Sequence, residues 1–232
     1  ADVLGGAEAG ARQLATRLAA DGRDVAVITS CATSMQTWAD DAAPGETIED
    51  GVRVTRCAVD RLRAADFDAQ SELVLPRAGD VSLDDALEWI DAQGPTSSAL
   101  LEAIAAVDRG VLVFYPYLYH PTVRGLPLAR VPTILYPAAH RELPLELPVF
   151  DEVFAQVSGI ALQTRAEQAL VHERFPPTVT SPQALVGLPV EMHETPDPAA
   201  ARAALGLGEE PFALCLGRVD RGKGTHDLVE RF

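Results

Sequence analysis

Residues suited to chemistry gather at three points of this sequence. The first is the run Gly217-Arg218-Val219-Asp220-Arg221-Gly222-Lys223-Gly224, which holds the only lysine of the chain. It lies between the apolar stretch Phe212-Ala213-Leu214-Cys215-Leu216 and the stretch Thr225-His226-Asp227-Leu228-Val229, and reads as strand, glycine-rich turn and helix. Arg218 offers a planar fork and Lys223 a mobile point charge, both beside free backbone N–H groups at a helix start, a combination that binds phosphate. The plainer reading is a solvated turn, but such a turn does not need glycines at 217, 222 and 224. The second point is Gly5-Gly6-Ala7-Glu8. Two glycines let a ligand approach the backbone and a helix N-terminus favours negative charge. The same residues also fit a tight turn with Glu8 well placed in the first helical turn. The third point is a pair of histidines just beyond predicted strands. His140 follows the strand ending at Tyr136, where it can hydrogen-bond a ligand hydroxyl or donate to a developing charge; a loop histidine without a role is the bland alternative. His120 closes the run Tyr115-Pro116-Tyr117-Leu118-Tyr119-His120, whose tyrosines either line a sugar or acceptor surface or pack between loops.

The elements that must position these residues alternate. Ala7, Ala11, Leu14, Ala15 and Leu18 share one face of a first helix, which Asp21-Gly22 ends. Val25 to Ile28 is a short, fully apolar strand of the kind buried in a parallel sheet. Residues 32–50 are polar and aperiodic and read as a loop; Val52 to Cys57 alternates as a strand; residues 60–82 are ambiguous. Helices are expected from Leu83 to Ile90, after Ser97 or Ser98, over 150–157, and after Thr164, where Thr164-Arg165-Ala166-Glu167 matches a capping box. Strands are expected over 111–115, 131–136, 159–162 and 184–186. Residues 187–197 read as a linker, and Asp197-Pro198 starts one more helix, ending at Gly206. Connections too long for hairpins imply parallel βαβ units with helices on both faces of the sheet, and ligands in such sheets bind beyond the carboxyl ends of the strands.

Composition narrows the classes. Nineteen basic residues against 34 acidic ones leave a net charge of −15, so a nucleic-acid partner is not expected. Three cysteines, Cys31, Cys57 and Cys215, lack metal-ligand spacing. Cys57 and Cys215 sit in apolar runs as small hydrophobes, and the odd count points to a reducing compartment. No stretch is long and apolar enough to span a bilayer. A cytoplasmic location is expected, with peripheral attachment to a membrane left open. No metal cluster, Walker loop, GxGxxG or GxSxG elbow is present.

Taken in order, four segments resemble the retaining glycosyltransferases of family four (group one), which have the two-domain GT-B fold. Gly5-Gly6-Ala7-Glu8 with Asp21-Gly22-Arg23-Asp24-Val25-Ala26-Val27-Ile28-Thr29 is similar to the opening of that family. Asp50-Gly51-Val52-Arg53-Val54 is similar to its next strand, and Val131-Pro132-Thr133-Ile134-Leu135 with His140 to its histidine segment. Phe212 to Gly224 is similar to the opening of its donor domain and is the most specific of the four. The resemblance implies an α/β fold. A Rossmann-like, acceptor-side domain would span 1–190, and a linker with the first βα unit of a second, donor-binding Rossmann-like domain would span 191–232. It implies transfer of a hexose from a nucleotide-diphosphate-sugar to a sugar, lipid-linked or small-molecule acceptor, with retention and without a metal or other cofactor. By the same resemblance Arg218 and Lys223 bind the donor diphosphate, Gly5 and Gly6 approach it through the backbone, and His140 faces the donor sugar. Glu8, Tyr117, Tyr119 and His120 fall on the acceptor side.

The family's first strand is missing or reduced to Ala1 to Leu4, and only the start of the donor domain is present. A fragment, inactive alone and able to associate through an exposed sheet edge, is therefore expected. The alternatives are another GT-B enzyme, such as a nucleotide-sugar epimerase, and a non-catalytic α/β interaction module.

Overall fold

The computed structural model describes residues 6–188, 197–216 and 224–231. The chain forms two compact units, Ala1–Pro189 and Val190–Phe232. In the first, helix α1 (Gly6–Ala20) leads into strands β1 (Ala26–Ser30), β2 (Gly45–Glu49) and β3 (Val52–Cys57), then helices α2 (Phe67–Val74), α3 (Leu83–Gln93) and α4 (Ser98–Ala105). Strand and helix alternate from there: β4 (Leu112–Phe114), α5 (His120–Gly125), β5 (Thr133–Leu135), α6 (Val149–Gln156), β6 (Gly159–Leu162), α7 (Arg165–Arg174) and β7 (Gln183–Leu185).

The strands form two sheets, of order β1-β3-β2 and β4-β5-β6-β7. The second is wholly parallel and flanked by helices, an α/β arrangement compatible with a Rossmann-like fold. Phe114, Leu135, Ile160 and Leu162 bury one face of it in a core shared with Ile104, Phe150, Val171 and Phe175. Val113, on the alternate side of β4, stays 46% exposed. In the first sheet β1 runs parallel to β3, and β2 is antiparallel to it. A smaller cluster of Ala15 with Val52 and Val54 seats α1 on this sheet, with Val27 packed against it.

Local chemistry sets the boundaries. Ser82 caps α3 by accepting from Asp85 N at 3.1 Å, and Ser97 caps α4 by accepting from Leu100 N at 3.2 Å. Gly94 ends α3 at φ 77, where a Cβ would also stand 3.0 Å from Trp38; glycine alone tolerates both conditions.

Two expectations for this unit change. Residues 32–50 are not all loop: Gly45–Glu49 forms β2, joined to β3 by the two-residue turn Asp50-Gly51 with φ 51 and 79, a type I′ geometry matched to the twist of a hairpin. The ambiguous 60–82 region becomes α2 and a 3-10 turn over Leu75–Asp80.

In the second unit, α8 (Pro198–Ala204) is capped by Asp197, which accepts from Ala200 N at 2.9 Å, and α9 (Thr225–Arg231) lies at the other end. The strand expected at Phe212 to Leu216 does not form. Pairing needs a neighbouring edge, and the described residues of this unit offer none. Leu214 and Leu216 are 67% and 91% exposed, and Cys215, expected as a buried hydrophobe, is exposed with them. Phe212 lies under the Arg202 guanidinium at 5.1 Å instead. Among the described residues, no helix is long and apolar enough to cross a membrane.

Candidate functional site

The four parallel strands end in a row, and the residue after each end carries a polar group or hands on to one. Tyr115 follows β4, Tyr136 follows β5, Gln163 follows β6, and Val186-Gly187 follows β7. Gln163 Nε2 donates to the Tyr115 hydroxyl at 3.2 Å. The Tyr136 hydroxyl donates to the Gly187 carbonyl, and the rings of Tyr115 and Tyr136 lean on one another at 4.7 Å. Helix α1 reaches this row. A Cβ on Gly10 would stand 3.0 Å from the Tyr115 hydroxyl and 3.5 Å from Leu188, so a glycine there permits the approach. Burial pushes the Tyr115 phenol up to about 12, with smaller contributions from Tyr136, Glu167 and Glu8.

Glu167 organises the row from below. It is 5% exposed. Its carboxylate accepts from Ala139 N at 2.7 Å and Gln163 N at 2.6 Å, tying the loop after β5 to the loop after β6. Its own amide donates to Thr164 Oγ1 at 3.0 Å, so the capping box recognised in the sequence is half formed. Burial pushes the Glu167 carboxyl up, against the N–H groups of Gln163, Ala139 and Thr164.

His140 leaves the loop after β5, beyond Ala138, whose φ of 54 lies in the left-handed region. A non-glycine residue there costs about 1 kcal/mol, and the Glu167 bond to Ala139 holds the loop in place. The His140 side chain is 73% exposed, with Nε2 3.2 Å from Glu142 Oε2. Glu142 Oε1 in turn accepts from the Tyr117 hydroxyl at 2.7 Å.

The other sequence-predicted residues are placed as follows. Gly6 opens α1, exposed, with nothing within 4 Å of a Cβ there; Glu8 is exposed in the first turn. Gly5, Arg218 and Lys223 lie outside the described residues. Tyr117 is 1% exposed, edge-on to Phe150 at 4.7 Å; it stands behind Glu142 and lines no open surface. Tyr119 is half-buried, edge-on to Trp38 at 5.6 Å. His120 is buried at the start of α5, with Nε2 3.7 Å from Asp91 Oδ1 and Nδ1 without a hydrogen-bond partner. Burial lowers its pKa, although Asp91 pulls it upward. Asp91 also takes a two-bond grip from Arg124, at 2.9 and 2.7 Å, and borders a cleft of about 380 Å³ with Arg61, Gln70 and Glu88.

The structure thus brings His140, Glu142 and Tyr117 together, and separately Glu167 with Gln163, Tyr115 and α1. Glu142 and Gln163 escaped the sequence reading. Glu142 lies two residues beyond His140, across a bend at Arg141, and no local sequence pattern marks that contact in advance. Among the described residues, no group of three His, Cys, Asp or Glu side chains could hold a metal ion.

Comparison of the chain with protein-family models, curated proteins and solved structures finds no match.

Proposed function

We propose that this chain is part of a retaining glycosyltransferase of GT-B architecture, which moves a sugar from a nucleotide-diphosphate-sugar to an acceptor. Residues 1–190 form the acceptor-side domain in this reading, and residues 191–232 open the donor-binding domain. The supporting observation is the row of strand exits. His140, Tyr115 and Gln163 stand at the carboxyl edge of a parallel sheet, with α1 packed against Tyr115 through Gly10. Ligands of open α/β sheets bind at that edge. In this scheme His140 faces the donor sugar, Gly5 and Gly6 approach the donor phosphates, and Arg218 and Lys223 take the diphosphate. Bond cleavage is then assisted by stabilising the leaving diphosphate.

Isothermal titration with UDP-, GDP- and ADP-sugars tests the reading. Arg218→Ala and Lys223→Ala are each expected to weaken the preferred nucleotide-sugar about tenfold or more, the loss of one charge-assisted contact. Unchanged affinity in both variants refutes it.

A further inference from the structure

We propose that Glu142, braced by Tyr117, is a positioning residue that keeps the proton of neutral His140 on Nε2 and leaves Nδ1 as the open hydrogen-bond acceptor. The use of that acceptor toward a sugar hydroxyl rests on the function proposed above; the tautomer does not.

The geometry is a chain of three side chains running from core to surface. Tyr117 is 1% exposed, its ring fixed edge-on to Phe150 at 4.7 Å and against Phe154 at 6.2 Å. Its hydroxyl has one described partner, Glu142 Oε1 at 2.7 Å. Burial, then the nearby Glu142 charge, push the phenol up, so it remains a donor. That bond aims the second carboxylate oxygen at His140 Nε2, 3.2 Å away. A carboxylate oxygen has no proton to give. A bare Nε2 would set lone pair against lone pair, whereas an Nε2–H is attracted. The loop is held independently, because the amide of Ala139 is bound to Glu167. One edge of the imidazole is therefore oriented, and the rest of the 73% exposed side chain is open to solvent. This selects between the two roles open to His140: in its neutral form it accepts from a hydroxyl through Nδ1 and does not donate through that nitrogen to a developing charge.

The tautomer is read directly by long-range proton–nitrogen correlation on isotope-labelled protein, at a pH where the nitrogen shifts themselves show the ring to be neutral. The wild type is expected to show His140 protonated on Nε2. Glu142→Gln keeps an acceptor for the buried Tyr117 hydroxyl, so its amide NH2 must turn toward His140 and donate to Nε2. The proton is then expected to move to Nδ1. The same majority tautomer in both proteins overturns the proposal. Tyr117→Phe keeps the carboxylate and removes the brace; the His140 ring is expected to gain mobility in its relaxation order parameter, and an unchanged value overturns the bracing.

Nucleotide-sugar titration adds a functional arm. Glu142→Gln is expected to weaken binding about fivefold alone and to add nothing in a His140→Ala background. Additive losses overturn a role exerted through His140. If His140→Ala itself leaves binding unchanged, the assignment of His140 to the donor site fails, while the tautomer measurement still decides the positioning claim.

Discussion

Glu167 carries two opposed forces in one side chain. Burial favours its neutral form, while the amides of Gln163 and Ala139 favour the carboxylate; burial prevails and the pKa is raised. A raised carboxyl pKa means that its stabilising contribution is complete below the unfolded value near 4.5 and is lost as pH climbs through the folded value. Glu167→Ala strands two backbone donors and is expected to cost about 2–4 kcal/mol in urea unfolding. Glu167→Gln cannot ionise, so its deficit relative to wild type is expected to be smaller at pH 7 than at pH 4. His120 shows the opposite sign. Its pKa is lowered, so the buried neutral ring contributes stability that is present above the unfolded value of 6.5 and is lost as pH falls toward the folded value. Denaturant midpoints of wild type and His120→Gln measured across that window should converge on acidification. Parallel curves would show that His120 does not titrate differently on folding.

At the scale of elements, helix caps give a graded test. Ser82 only caps α3, by accepting from Asp85 N, and Ser82→Ala should cost about 1 kcal/mol. Ser97 caps α4, is 1% exposed, and also donates to the Ala58 carbonyl at 2.6 Å. Ser97→Ala should therefore cost about 2 kcal/mol; equal losses would show that the second bond contributes nothing. The caps at Ser97, Thr164 and Asp197 were legible before the fold, the first as one of two neighbouring serines, because such side chains at helix starts act locally; the Ser82 cap was not read. Asp50-Gly51 was a readable hairpin signal, yet β2 escaped because Gly45-Glu46-Thr47-Ile48-Glu49 is polar and its burial is slight, with Ile48 78% exposed. Phe212 to Leu216 failed in the opposite direction: an apolar run has strand character only where an edge receives it. Glu142 and Gln163 were invisible for a third reason. Their partners, Tyr117 and Tyr115, lie 25 and 48 positions away in sequence, and only the parallel order of the strands brings them together.

Across the whole molecule, one core does most of the holding. Phe150 is fully buried and touches the Tyr117 ring. Phe150→Ala should remove about 3–5 kcal/mol and loosen the Tyr117–Glu142 brace with it, so loss of stability and of His140 ordering should appear in the same variant. The net charge of −15 sets the response to salt. Self-repulsion weakens as the Debye length falls from about 10 Å at 0.1 M to about 3 Å at 1 M. Raising sodium chloride over that range should raise the Tm, and a falling Tm would mean that attractive pairs such as Arg174 with Asp151 dominate.

Helix α1 has a mechanical consequence. Ala15 is anchored on Val52 and Val54, and Gly10 rests on the Tyr115 hydroxyl. The five residue steps from one to the other span about 7.5 Å of stiff helix. The helix is thus a strut joining a mixed sheet to the exit row of a parallel one. A load applied at its leading turn is carried along the helix, because bending so short a span strains its hydrogen bonds. It passes to the strand beneath Ala15, so amide exchange in β3 and in the loop at Tyr115 should slow together when that turn is engaged.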